Sequence, residues 1–114
     1  MIEYASGNLL DADVDALVNT VNTEGVMGKG VALQFRRAYP KNYQAYRTAC
    51  ARGEVKIGSM FVHDTGRLER PRWIINFPTK RHWRSKSRIE DIDAGLADLR
   101  RVIAQHGIES VALP

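Results

Sequence analysis

The sequence of 114 residues contains a single cysteine, Cys50, and no long apolar run. One cysteine cannot form an intrachain disulfide, and with three histidines of unrelated spacing it makes no zinc site. No stretch approaches the roughly 20 apolar residues of a membrane span. The start, Met1-Ile2-Glu3, is acidic, whereas a signal peptide begins with basic residues. We therefore expect a cytoplasmic protein without a metal, in which Cys50 packs against a helix.

The composition is that of an ordinary globular domain, with 44% hydrophobic and 26% charged residues. This balance excludes a chain that is disordered throughout. Lysine and arginine total 17 against 13 for aspartate and glutamate, so the net charge is +4. A basic surface favours a polyanionic partner, although solubility alone also explains such a charge. The length predicts one domain.

The hydrophobic pattern predicts strands that alternate with helices along the chain. Strands are predicted at 1–5, 14–21, 56–63, 72–77 and 109–113, and helices at 31–38, 40–52 and 87–106. In the last helix one face is apolar, formed by Ile89, Ile92, Leu96, Leu99 and Ile103. This order predicts an α/β layered sheet with helices on both faces. In such folds ligands bind at the carboxyl ends of the strands.

A glycine-bearing loop, Asn22 to Gly30, joins the second strand to the first helix. Glycines allow backbone amides to approach a ligand closely, and amides at a helix start bind anions. The loop therefore predicts a diphosphate site, with an ordinary strand-to-helix turn as the alternative. Asn19 and Asn22 end the strand that feeds the loop, and an amide can bridge two ribose hydroxyls. The alternative is that these amides satisfy the backbone of the turn.

A basic loop, Pro78 to Lys86, follows the fourth predicted strand. A lysine amine at a sugar's anomeric carbon can act as a nucleophile, and neighbouring cations such as Arg81 favour its neutral form. From its spacing alone, the interpretation of Lys80 as a solvated loop residue without a chemical role is the favoured one. An aromatic residue between cations can stack on a nucleic-acid base, so Trp83 either contacts DNA or covers the sheet edge. We assign DNA contact to Arg81, His82, Trp83, Arg84 and Lys86.

The segments GNLL (Gly7 to Leu10) and DALVNTVNTEGVMGKGVALQF (Asp15 to Phe35) resemble the opening of a macrodomain. Within it, the segment VNTEGVMGKGVALQF (Val21 to Phe35) is similar to the sequences of one macrodomain branch, which contains DarG and the terminal ADP-ribose protein glycohydrolase. This resemblance implies a three-layer α/β/α fold with a mixed central sheet. It also implies a further loop, helix and strand beyond Pro114. We therefore expect residues 1–114 to form a macrodomain that is incomplete at its C-terminus.

The resemblance implies a role for individual residues in binding ADP-ribose. Asn8 and Leu9 would lie near the adenosine, Asn22 would contact the distal ribose, and Lys80 would be the catalytic residue. The residues assigned to ADP-ribose are Asn8, Leu9, Asn19, Asn22, Gly28, Lys29, Gly30, Val31 and Thr79.

The resemblance also implies an activity, the removal of ADP-ribose from thymidine in single-stranded DNA by an antitoxin that opposes a DarT-type toxin. ADP-ribose would be part of the substrate and the product, so no cofactor is expected. The alternatives are a glycohydrolase that acts on ADP-ribosylated protein glutamates and a reader that binds ADP-ribose without turnover. A plain nucleic-acid-binding domain would leave the glycine-bearing loop unexplained.

Overall fold

The secondary structure follows the predicted order. The computed structural model describes residues 2–4, 8–82 and 84–114. The strands are β1 (Ile2–Tyr4), β2 (Ala16–Asn22), β3 (Phe61–Asp64), β4 (Trp73–Lys80) and β5 (Val111–Leu113). The helices are α1 (Gly30–Ala38), α2 (Pro40–Ala51) and α3 (Ile89–His106), and a short 3-10 turn covers Leu9–Asp11.

The strands form one mixed sheet in the order β1-β5-β2-β4-β3. Neighbours pair in parallel, except that β3 runs antiparallel to β4 at one edge. Because β2 and β4 are parallel neighbours, their carboxyl ends lie side by side. The glycine-bearing loop and the basic loop therefore leave the same end of the sheet, where α/β folds bind their ligands.

Helices cover both faces of the sheet, as predicted. Val18 of β2 belongs to a core cluster with Leu99 and Val102 of α3. The next side chain back, Leu17, points the other way and packs in a cluster with Phe35 of α1. Side chains alternate between the faces of a strand, so β2 is buried by α3 on one side and by α1 on the other. The predicted three-layer α/β/α arrangement is confirmed.

Three predicted helix ends are confirmed by backbone geometry, whereas the helix predicted to begin at Ser87 begins at Ile89, with Arg88 as its N-cap. Pro40 occupies the first turn of α2, where its missing N–H costs no hydrogen bond. Gly107 ends α3 in the left-handed region at φ +62°, and Gly53 follows α2 at φ +70°. These conformations favour glycine, so each glycine stops its helix for a steric reason.

Two predicted strand boundaries are wrong by more than two residues. The strand predicted at 56–63 begins only at Phe61, because Gly58 takes φ +84° in a turn that the Ser59 N–H closes on the Lys56 carbonyl at 3.2 Å. In contrast, β4 continues through Lys80. The first residues of the predicted basic loop therefore belong to the strand.

The predicted apolar face of α3 is only partly a core face. Leu99 is buried, but Ile89 and Leu96 are 77% and 44% exposed. The helix instead packs through Gly95, where an added Cβ would lie 2.4 Å from Cε1 of Phe77. The spacing of large apolar residues could not identify the packed face of α3. The helix comes closest to the sheet at Gly95, which has no side chain and so leaves no mark in that pattern. Within the described ranges, no helix has both the length and the apolar character that crossing a bilayer requires.

Candidate active-site cleft

A cleft of about 800 Å³ opens at the carboxyl ends of β2 and β4. One side of the cleft is the start of α1, through Val31 and Ala32. The other side is Ser87, which precedes α3, and Ile92 in the first turn of α3. The volume lies within the range of pockets that bind small molecules and cofactors. The cleft is therefore large enough for a nucleotide-sized ligand.

The cleft gathers most of the residues that the sequence assigned to one site. They come from two segments that are far apart in the chain: the end of β2 with the loop and helix start that follow it, and the end of β4. The two strands are neighbours in the sheet. The predicted residues that line the cleft are Asn22, Gly28, Lys29, Val31, Thr79 and Lys80.

A β-bulge sets which residue of β4 lies beside Asn22. The register is regular as far as Val21 and Pro78, and then Asn22 is paired with Lys80, so Thr79 is an extra residue. A bulge changes the direction of the side chains that follow it. Proline is compatible with this position because it has no N–H to donate to the sheet. The bulge thus places Lys80 opposite Asn22.

Asn22 organises the glycine-bearing loop through its side-chain amide. Its Oδ1 accepts hydrogen bonds from the N–H groups of Glu24 (3.0 Å) and Val26 (3.3 Å), and its Nδ2 donates to the Val26 carbonyl at 2.9 Å. The Tyr46 hydroxyl of α2 lies 2.7 Å from the Asn22 carbonyl and 2.9 Å from its Oδ1. Burial raises the pKa of Tyr46 well above its usual range, so this hydroxyl stays protonated and donates. Asn22 therefore satisfies turn backbone, the alternative left open by the sequence.

The start of α1 lines the cleft and has the features that favour an anion. Lys29 is the N-cap residue, and a lysine side chain has no acceptor for the first helical amides. Gly28, Lys29, Val31 and Ala32 all line the cleft. The unsatisfied amides and the helix dipole favour a negatively charged group at this point.

Three contacts join the glycine-bearing loop to the basic loop. The Thr23 N–H donates to the Lys80 carbonyl at 3.1 Å, and the Thr23 hydroxyl donates to the Arg81 carbonyl at 3.2 Å. One residue further, the Glu24 carboxylate contacts Nδ1 of His82. The two loops are therefore held as one unit around the cleft.

The Macro domain family matches residues 18–114. The chain belongs to the macro domain family. Its combination of a mixed sheet, a glycine-bearing loop and a cleft at the strand ends is thus that of a macrodomain.

Individual macrodomains resemble the chain over its whole length. It is 64% identical over 114 residues to a DNA ADP-ribosyl glycohydrolase of Mycobacterium tuberculosis. The macrodomain of Mycobacterium tuberculosis DarG superposes with a TM-score of 0.96, and the match covers 100% of this chain and 75% of that one. The macrodomain of Thermus aquaticus DarG is 60% identical, with a TM-score of 0.94 and coverage of 100% and 76%.

A third structure, Thermosipho africanus DarTG in complex with ADP-ribose, is 30% identical with a TM-score of 0.90. That match covers 99% of this chain and 32% of the other. The chain spans about a third of the length of the curated glycohydrolases it matches, 32% in the Mycobacterium tuberculosis protein. What these relatives share with the chain is therefore the macrodomain.

Several predicted ligand residues have side chains outside the macrodomain cleft. Asn19 is fully buried, and its Nδ2 donates to Sδ of Met27 at 3.7 Å. Leu9 is 5% exposed and belongs to the core cluster on the α1 side of the sheet. Asn8 is exposed, and its Oδ1 accepts from the Leu10 N–H at 3.1 Å. Gly30 lies between two cleft residues, with a left-handed φ of +56° that favours glycine.

Four of the five residues predicted to contact DNA lie on an exposed surface beside the cleft. Arg81, His82, Arg84 and Lys86 are exposed. Trp83 lies outside the described residues. Exposed cations next to a ligand cleft are suitably placed for a polyanion, and their assignment to DNA stays a prediction.

Sequence reasoning missed part of the cleft wall. Thr20 is the exposed residue of β2, whose other residues are buried, and it lines the cleft. The sequence feature that could have indicated Thr20 as a cleft residue is its hydroxyl, near the carboxyl end of a mostly apolar strand. Ser87 and Ile92 complete the opposite wall. Ile92 was predicted to face the core, and only the packing of α3 shows that it borders the cleft.

Proposed function

We propose that this macrodomain is the catalytic part of a DNA ADP-ribosyl glycohydrolase, a hydrolase that removes ADP-ribose from thymidine bases of single-stranded DNA. The observation that carries the proposal is the cleft itself, in which an anion-binding helix start and Lys80 line one ligand-sized space. The names of its relatives from Mycobacterium tuberculosis and Thermus aquaticus support this activity. ADP-ribose belongs to the substrate and the product.

The start of α1 holds the diphosphate. Its amides provide hydrogen bonds and partial positive charge without the need for a metal or a basic side chain. Gly28 lines the cleft and has no Cβ, so the ligand can approach its backbone closely. Asn22 keeps the loop in shape, and we assign the second N–H of its amide to a hydrogen bond with the distal ribose. Thr79 borders the same end of the cleft.

Lys80 is the proposed nucleophile. Its unprotonated amine attacks the anomeric carbon of the distal ribose. As the new carbon–nitrogen bond forms, the bond from this carbon to the thymine nitrogen breaks, and the base leaves with one proton of the amine. The ring C–O bond at the same carbon then breaks, its oxygen takes the second amine proton, and the opened sugar is left as a Schiff base on the lysine. Water then adds to the same carbon, releasing ADP-ribose and regenerating the amine.

The DNA strand follows the exposed basic surface formed by Arg81, His82, Arg84 and Lys86. We also assign Trp83 to DNA contact, as a residue that stacks on a base. Cations beside the cleft supply phosphate contacts that do not depend on sequence. The biological role we propose is that of an antitoxin against a DNA ADP-ribosyltransferase of the DarT type. Support comes from the Thermosipho africanus protein, named as a fusion of such a transferase with a glycohydrolase. With DNA as substrate, the proposed place of action is the cytoplasm.

The test measures release of ADP-ribose from single-stranded DNA that carries ADP-ribosyl-thymidine. The chain is compared with its Lys80→Ala variant and with Lys41→Ala, an exposed lysine of α2 outside the cleft, as the matched control. We expect release by the parent and by the control, and loss of at least a hundredfold in the Lys80 variant, the usual scale for a catalytic group.

Calorimetry with free ADP-ribose separates binding from turnover. ADP-ribose binding without release from DNA would contradict the hydrolase and favour a reader. Release from ADP-ribosylated protein glutamates but not from DNA would contradict the proposed substrate. Equal release by Lys80→Ala would overturn the role of the lysine.

A further inference from the structure

A second cavity, of about 430 Å³, lies next to the cleft, and we call it the side groove. Its walls are made by the residues that directly follow the cleft residues in both loops. Thr23 and Glu24 follow Asn22, and Arg81 and His82 follow Lys80. The hydrogen bond from the Thr23 N–H to the Lys80 carbonyl therefore runs between the two cavities.

The third wall of the side groove is the segment after α2, formed by Val55, Lys56 and Ile57. Val55 is buried and Ile57 is half-buried, so they form an apolar floor. Lys56 and Arg81 are exposed at the rim. The groove thus combines two cations with an apolar surface.

The acidic residue of the side groove is already engaged. Glu24 contacts the His82 ring, and this contact compensates its charge when the imidazole is protonated. The positive charges of Lys56 and Arg81 remain at the edge of the side groove. Cations that meet an apolar surface fit a nucleotide, whose phosphate is anionic and whose base has an apolar face.

We infer that the side groove binds one nucleotide next to the ADP-ribosylated thymidine, with its phosphate at Lys56 and Arg81 and its base over Val55 and Ile57. The inference rests on the proposed function. A DNA strand whose modified nucleotide reacts at Lys80 must continue along the protein surface beyond that lysine. The side groove begins at Arg81, the next residue of the protein chain. It is therefore the first binding surface that the strand meets on that side.

The test compares substrates that differ only in the flanking nucleotide. These are ADP-ribosyl-thymidine itself and two dinucleotides, with the neighbour on the 5′ or the 3′ side. The variant is Lys56→Glu, and the matched control is Arg100→Glu, an exposed cation on α3. We expect Lys56→Glu to raise KM for one of the dinucleotides about fivefold, to leave the other and the nucleoside unchanged, and to leave ADP-ribose affinity unchanged.

The salt dependence gives a second measurement. Each phosphate contact on single-stranded DNA contributes about 0.7 to the slope of log affinity against log salt. Lys56→Ala is therefore expected to lower this slope by about 0.7. An effect of Lys56→Glu that is the same for the nucleoside and the dinucleotides, or the same for Arg100→Glu, would overturn the inference.

Failure of the proposed function is recognised separately, because the parent chain would then release no ADP-ribose from any substrate. In that event, fluorescence anisotropy with a short unmodified single-stranded oligonucleotide decides on the groove. Weaker binding by Lys56→Glu but not by Arg100→Glu supports a nucleotide site there. Equal binding by all three proteins excludes it.

Discussion

Substitution of Gly28 by alanine should separate ligand binding from folding. Gly28 lines the cleft, and its φ lies outside the left-handed region, so an L-residue is tolerated. The new Cβ would meet Cγ1 of Val26 at 3.5 Å, an ordinary contact. Replacement of glycine at a compatible position stabilises a protein by roughly 0.4–1 kcal/mol, because it restricts the unfolded chain. Gly28→Ala should therefore unfold at the same urea concentration as the parent or a higher one.

The same methyl group should weaken ADP-ribose binding. It would occupy the space through which the diphosphate approaches the start of α1. We expect at least tenfold weaker affinity, which corresponds to about 1.4 kcal/mol. Isothermal titration calorimetry with ADP-ribose measures this loss, and urea unfolding measures stability on the same preparation.

Gly30→Ala provides the contrast for this experiment. Its φ of +56° is left-handed, so alanine there should cost roughly 1–2 kcal/mol of folding free energy. Gly28→Ala would refute the reasoning if it bound ADP-ribose as tightly as the parent. Destabilisation by more than about 1 kcal/mol would refute the steric argument at this position.

Further predictions concern the packing and the pH dependence. Gly95→Ala should lower the free energy of unfolding by about 1–2 kcal/mol, because the clash of the new Cβ with Phe77 exceeds the gain in helix propensity. Urea unfolding measures this loss, and an equal loss in a Phe77→Leu background would contradict the explanation. Tyr46→Phe removes the hydroxyl that holds Asn22 and should lower the free energy of unfolding by about 1–2 kcal/mol. ADP-ribose binding, measured by calorimetry, should also weaken. Unchanged affinity would show that the glycine-bearing loop keeps its shape without this hydroxyl. Burial lowers the pKa of His63 below its usual 6.5. Just below pH 6.5 the unfolded chain therefore binds more protons at this imidazole than the folded chain does. The free energy of unfolding should fall as the pH drops through 6.5, until the folded imidazole is protonated as well. His63→Gln should flatten this part of the stability profile, and an unchanged slope would assign it to other groups.

The order of elements was predictable because strong local signals agree along this chain. β2 is an aliphatic run that is buried on both faces, and Pro40 and Gly107 mark helix ends through fixed backbone preferences. The alternation of strands and helices then implied the layers. The strand predicted at 56–63 was too long, since a single left-handed glycine, Gly58, interrupts it.

The cleft was predictable only in outline. The two loops were identified because strand ends that precede helices are the usual ligand sites of α/β folds. The bulge at Thr79 could not be predicted, because a register shift depends on pairing between distant strands. Asn19 and Asn22 have the same residue type and lie three positions apart on β2. Only the packing shows that Asn19 is buried against Met27 and Asn22 faces the loop.

The central claim, that Lys80 attacks ADP-ribose in this cleft, is tested most directly by trapping the intermediate. The chain is incubated with single-stranded DNA carrying ADP-ribosyl-thymidine in the presence of sodium cyanoborohydride, which reduces a Schiff base to a stable amine. Peptide mass spectrometry then locates the adduct. We predict ADP-ribose attached to Lys80 and absent from the Lys80→Ala variant. Release of ADP-ribose without an adduct at Lys80, undiminished in that variant, would contradict the claim.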